Sequence, residues 1–159
     1  MYDTHGKAET QKGKAETKIE DFFGPVISRY TRKNAIDDGV LVDVSEMAQE
    51  AGFKFPVAVT QSVWAECIDW PKDSEQGFGQ SIDGRLWDVL YMAHWKIKTT
   101  PDHSEDLLYQ LNVIPPDTKA ETITEIDDFT GAKLKTLKIN IGPGDNREPV
   151  LTIMQPNED

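Results

Sequence analysis

The chain has 159 residues, 38% of them hydrophobic, which is enough for one packed core and too little for two full domains. A net charge of -11 disfavours contact with a nucleic-acid backbone, whose binders gain affinity by neutralising phosphates with Lys and Arg. One cysteine excludes an internal disulfide, three scattered histidines give no zinc-type spacing, and no apolar run reaches bilayer length or forms a secretory signal; no metal or cofactor is expected, and a cytoplasmic location is.

GKAET occurs twice between Gly6 and Thr17, with no apolar residue larger than alanine, so residues 1–18 read as a disordered tail ahead of a single domain over 19–159. Phe22 and Phe23 precede a Gly-Pro breaker, and Val26 to Tyr30 read as a strand. Thr31 is placed to cap a short helix from Arg32 to Asp38, stopped by Gly39. Val40, Val42 and Val44 alternate with Leu41 and Asp43 as in a half-buried strand. Ser45 is placed to cap Glu46 to Ala51, with Gly52 closing that helix.

Phe55, Val57 and Val59 form a second alternating segment, with Pro56 marking a strand start or edge. Thr60 then caps a helix from Gln61 to Trp70 whose apolar residues Val63, Trp64, Cys67 and Ile68 make one stripe. The polar run Pro71 to Gly79 is a loop, and Asp83 to Lys98 is a longer amphipathic helix. Three strands complete the chain at Leu107 to Val113, Leu137 to Ile141 and Pro149 to Met154. The acidic loop 117–130 and the turn Gly142-Pro143-Gly144-Asp145-Asn146 connect them. The expected fold is α+β: a two-layer domain in which a C-terminal antiparallel β-meander is covered on one face by the shorter strands and helices upstream.

Cys67 and His94 are the residue types of a thiol nucleophile and its base, but Cys67 on an apolar stripe reads as a buried hydrophobe. Glu66, Asp69, Asp83 and Asp88 have no metal-ligand spacing, and the Gly142 to Asp145 turn matches no phosphate loop. No catalytic residue is therefore assigned. Among the four tryptophans, Trp64 and Trp87 are assigned to the core and Trp70, beside Pro71, to a partly exposed position. The partner-binding candidates are Trp70 and the acidic cluster Glu121, Glu125, Asp127 and Asp128, which held rigidly would imitate a row of phosphates. An alternative small-molecule or enzymatic site is placed near Trp87, Asp88 and His94. A third reading, nucleic-acid binding through Arg29, Arg32 and Lys33, is disfavoured by the overall charge.

Three stretches carry a family resemblance: Tyr30-Thr31-Arg32 with Ala35 to Val44; Gly84-Arg85-Leu86-Trp87-Asp88-Val89-Leu90; and Gly142-Pro143-Gly144-Asp145 with Glu148-Pro149-Val150 and Thr152 to Asp159. With these the chain resembles a family of small uncharacterised bacterial proteins often carried on plasmids, integrative elements and prophages. The likeness covers about residues 22–159 and brings no catalytic residues. It implies an accessory role on mobile DNA. Joined to the acidic charge, that gives the expectation of a non-enzymatic binding protein directed at a basic host protein, such as a restriction or CRISPR effector.

Overall fold

A computed structural model describes residues 29–71, 79–102, 104–117 and 131–159. Its contacts divide the chain between Tyr30 and Thr31, and the larger unit is the body from Thr31 to Asp159. The tail 1–18, the aromatic pair Phe22 and Phe23, most of the loop 71–79 and the acidic cluster Glu121, Glu125, Asp127 and Asp128 lie outside the described residues. Of the strand expected from Val26 to Tyr30, only Arg29 and Tyr30 are described, and neither is in a strand.

The body is an α+β fold on one mixed five-stranded sheet. In chain order the elements are α1 (Arg32–Asp37), β1 (Leu41–Asp43), α2 (Ser45–Glu50), β2 (Val57–Thr60), α3 (Gln61–Val63), α4 (Ile82–Thr99), β3 (Asp106–Val113), β4 (Lys133–Pro143) and β5 (Pro149–Met154). The one-turn helix α3 runs on into a π-helical turn over Trp64–Ile68, closed by the Asp69 amide on the Trp64 carbonyl at 2.7 Å. The strand order is β1-β2-β5-β4-β3.

The expected meander is present, since β3 pairs antiparallel with β4, and β4 with β5. The upstream strands do not cover it. Instead β2 adds to β5 in parallel and β1 adds antiparallel to β2, so both lengthen the sheet sideways. The reason lies in β2: Val57, Ala58 and Val59 are all buried, as in a strand covered on both faces, and such a strand belongs inside a sheet.

The core lies between one sheet face and the helices. Along β3 the burial alternates strictly, with Leu107, Tyr109, Leu111 and Val113 turned inward. They meet Leu137 and Ile139 of β4, Ile153 of β5, and Leu86, Val89, Leu90 and Ala93 of α4, which share one helical stripe. Ser81 caps α4 by accepting the Gly84 amide at 3.1 Å, and Lys96 and Lys98 stand at its negative end. Inside the core the Tyr109 hydroxyl donates to the Val89 carbonyl at 3.2 Å.

Local signals hold at several helix ends. Thr31 accepts the Asn34 amide at 3.0 Å, and Thr60 accepts that of Val63 at 3.4 Å. Ser45 differs from expectation. It lies within the first turn of α2, where its oxygen accepts the Val57 amide at 3.1 Å and its hydroxyl reaches Asp43, so it joins α2 to β2 rather than capping a helix. Gly52 closes α2 with φ +103°, as the Gly52 amide donates to the Gln49 carbonyl at 3.1 Å and that of Phe53 to Ala48 at 2.9 Å. This double bond pattern places both last-turn carbonyls, and it requires a left-handed residue at Gly52.

Candidate functional site

Several polar side chains bond between elements far apart in the chain. Arg32 crosses from α1 to the sheet, where Nη1 donates to Thr152 Oγ1 at 2.7 Å and Nη2 to the Leu151 carbonyl at 2.8 Å. The Arg32 and Lys33 amides donate to the two carboxylate oxygens of Asp145, at 2.8 and 3.0 Å. Those two bonds hold the Asp145 carboxyl below the usual carboxylate range. The Gly142 to Asp145 turn is thus an anchor for the start of α1. Of the basic cluster, Arg32 is engaged internally, Lys33 pairs with Asp37 at the surface, and Arg29 is exposed.

Glu158 does the same at the C-terminus. Its carboxylate accepts the Thr60 and Ser62 hydroxyls, both at 2.8 Å, and the Gln155 amide at 2.7 Å, while Lys138 donates to its backbone carbonyl. Burial pushes its pKa up, but these donors and the Lys138 charge outweigh that and leave it lowered. A cleft of about 690 Å³ opens beside this knot, between Ala35, Val40, Leu41, Asn140, Met154 and Asp159. Thr60, Ser62 and Glu158, which also line it, bond one another.

Trp70 and Trp87 exchange their expected places, while Trp64 is partly buried against the core. Trp70 is only 7% exposed, because the Arg85 guanidinium lies 4.8 Å from its ring centroid and covers it. Trp87, expected in the core, is 38% exposed, because the inward stripe of α4 is already filled by Leu86, Val89, Leu90 and Ala93. It starts a row on the opposite side of the helix, with Tyr91 at 52% and Trp95 at 54% exposure. Spacings of four residues set these three side chains one above another, and the Trp87 and Tyr91 rings stack with centroids 6.5 Å apart. Below Trp95 a groove of about 430 Å³ continues the surface across Met92, Leu108, Gln110 and Thr136 to β3, the last strand of the sheet.

Trp87, Asp88 and His94 do not form one site. Trp87 and His94 are seven residues apart, roughly 10 Å along the helix axis. Asp88 borders a cavity beside Arg85 and Cys67, and His94 packs on Phe53 with ring centroids 5.2 Å apart. Burial and the nearby Lys98 lower the His94 pKa. Cys67 is 1% exposed and burial pushes its thiol upward, the opposite of an activated nucleophile. Among the described residues no group of His, Cys, Asp and Glu is placed to hold a metal ion, and no helix is long and apolar enough to cross a membrane.

A model of a family of unknown function, DUF6573, matches residues 19–159. The chain belongs to this family. Comparison with curated proteins and with solved structures gives no match. The DUF6573 match begins at Ile19, just after the polar repeat and ahead of Phe22 and Phe23. Sequence reasoning missed Tyr91 and Trp95 as surface features. The available signal was the i, i+4, i+8 aromatic spacing opposite a complete apolar stripe.

Proposed function

We propose that this DUF6573 protein is a non-enzymatic binding protein that takes a basic partner protein against the outward face of α4. The observation that carries the reading is the exposed row Trp87, Tyr91 and Trp95. Tyr and Trp supply large contact area at low entropic cost and are enriched where binding energy concentrates. The row's N-terminal end carries the carboxylates of Asp83 and Asp88, and the whole chain is acidic. Aromatic faces beside carboxylates suit arginine and lysine side chains, which gain cation–π and ionic contacts together. The likeness to proteins of mobile elements makes a nucleic-acid-binding host defence protein the first partner class to try.

A photo-crosslinking residue in place of Tyr91, used in bacterial lysate with a second probe at Glu46 on α2 as control, tests this. A basic protein crosslinked from position 91 alone, in a yield that falls when salt is added before irradiation and is lost on Trp95→Ala, is the expected result. Capture that is equal at both positions, or unaffected by Trp95→Ala, refutes it. Because Trp95 is exposed, its truncation changes stability by less than about 1 kcal/mol, so lost capture reports lost binding.

A further inference from the structure

β3 is the last strand of the sheet, and its second edge pairs with no described strand. The Ile141 amide donates to the Glu105 carbonyl at 2.8 Å, which fixes the phase of the β3–β4 ladder. Ladder bonds alternate along an antiparallel strand, so Leu107, Tyr109, Leu111 and Val113 bond to β4, while the amides and carbonyls of Leu108, Gln110 and Asn112 point to the open edge. The Asp106 carbonyl points the same way, and the Ser104 hydroxyl donates to it at 2.7 Å. Sheet edges are normally guarded by charge, proline, a bulge or short length. The opposite edge is guarded by length, since β1 has 3 residues. In contrast, β3 has 8, runs in unbroken register and carries no charge or proline from Leu107 to Val113.

The surroundings of the edge say what fits it. The groove of about 430 Å³ lies at mid-strand, between Leu108, Tyr109 and Gln110 on one side and Met92 and Trp95 of α4 on the other. Leu108 is 54% exposed there. A two-fold axis at Tyr109, perpendicular to the sheet, pairs Leu108 with Gln110 of a second copy and Asp106 with Asn112, so open backbone groups meet and no carboxylates face each other. The same axis brings the two grooves together, each beside the other copy's Trp95. The ends of the strand also carry opposite signs. Glu105 precedes it, and Lys133 lies across from Val113 at its far end, both exposed. Antiparallel pairing sets Glu105 opposite Val113 of the second copy, on the same face as that copy's Lys133 and about 10 Å away. A basic foreign strand is served less well, because Lys96 also lines the groove.

We propose that two copies of this chain pair through β3, antiparallel about Tyr109, joining their sheets into one and seating each Trp95 against the other copy's groove. The pairing stands on the edge strand and not on the basic partner proposed above, and of the aromatic row it uses Trp95 alone.

Sedimentation of the full chain over a concentration series tests this, with a monomer giving way to a dimer and nothing larger as the expected result. Gln110→Pro removes an open-edge amide that β4 does not use, and it is expected to raise the dissociation constant at least about tenfold with the circular dichroism unchanged. The register is read from disulfides. Leu108→Cys mixed with Gln110→Cys is expected to crosslink between copies, and either variant alone far less; this comparison decides where the proline variant does not fold. A monomer up to about 1 mM leaves the edge to a strand of another protein and overturns the proposal. A dimer indifferent to Gln110→Pro, or crosslinking no greater in the mixture, overturns it too. Capture of a basic protein from position 91 does not depend on Gln110, so the two readings fail separately.

Discussion

Replacing Gly52 by alanine tests how α2 is seated on α4. Gly52 has φ +103°, and a Cβ built there would stand 2.9 Å from Cε1 and 3.2 Å from Nε2 of His94. Two costs arise. The left-handed backbone costs an L-residue about 1–2 kcal/mol, and pressing a methyl into an occupied site adds about 1–3 kcal/mol. The His94 ring has little freedom to yield, since it rests on Phe53, itself a buried member of the core. Urea unfolding should therefore show Gly52→Ala destabilised by about 2–5 kcal/mol, with the midpoint lowered and the slope unchanged. In a His94→Ala background the steric part vanishes, so the same substitution should cost only about 1–2 kcal/mol, a coupling well above measurement error. A cost below about 1 kcal/mol, or the same cost in both backgrounds, would refute the packing of His94 over this turn.

The anchoring residues give two further outcomes. Asp145→Ala removes the acceptor of the Arg32 and Lys33 amides, so hydrogen exchange at the start of α1 should accelerate while the Tyr109 and Ile139 amides stay protected. Uniform acceleration would instead mean that the turn supports the whole body. Glu158→Gln should flatten the acid limb of the stability curve. The folded pKa of Glu158 is depressed, so its stabilisation is complete above the ordinary value of 4.5 and is lost as pH falls through the lower folded value. The group is only partly buried and so partly solvent-screened, so the effect above that pH should be about 1 kcal/mol, and the wild-type and variant curves should converge in acid. Asp145 titrates in the same direction in both chains, so their difference isolates Glu158. Parallel curves down to low pH would exclude this role.

What could be read from the sequence was what depends on near neighbours. Thr31, Thr60 and Gly52 announce helix ends through bonds made within a few residues, and the alternation in β3 reflects one strand having two unlike faces. The position of β1 and β2 was not legible. Parallel pairing of Val57 to Val59 with Leu151 to Ile153 joins segments more than 90 residues apart, and no local pattern encodes that choice. Arg32 and Asp145 were hidden for the same reason, since their partners lie more than 110 residues away. The tryptophans were misassigned because residue type speaks to average burial, whereas position on the helix decides it. Trp87 and Leu86 are adjacent in the chain, yet about 100° of helical rotation turns one outward and the other into the core.

That distinction bears on where function should be sought. The side chains of Arg32, Arg85, Asp145 and Glu158 each bond within the body. Trp87 is different: it lies within Gly84 to Leu90, yet the core does not require it, and its ring stacks on Tyr91 in the open row. An outward aromatic that packing does not require costs solubility without adding core. Under the proposed function a partner covers it, and that makes the α4 row, rather than Arg32, Arg85, Asp145 or Glu158, the place where substitutions should separate binding from folding.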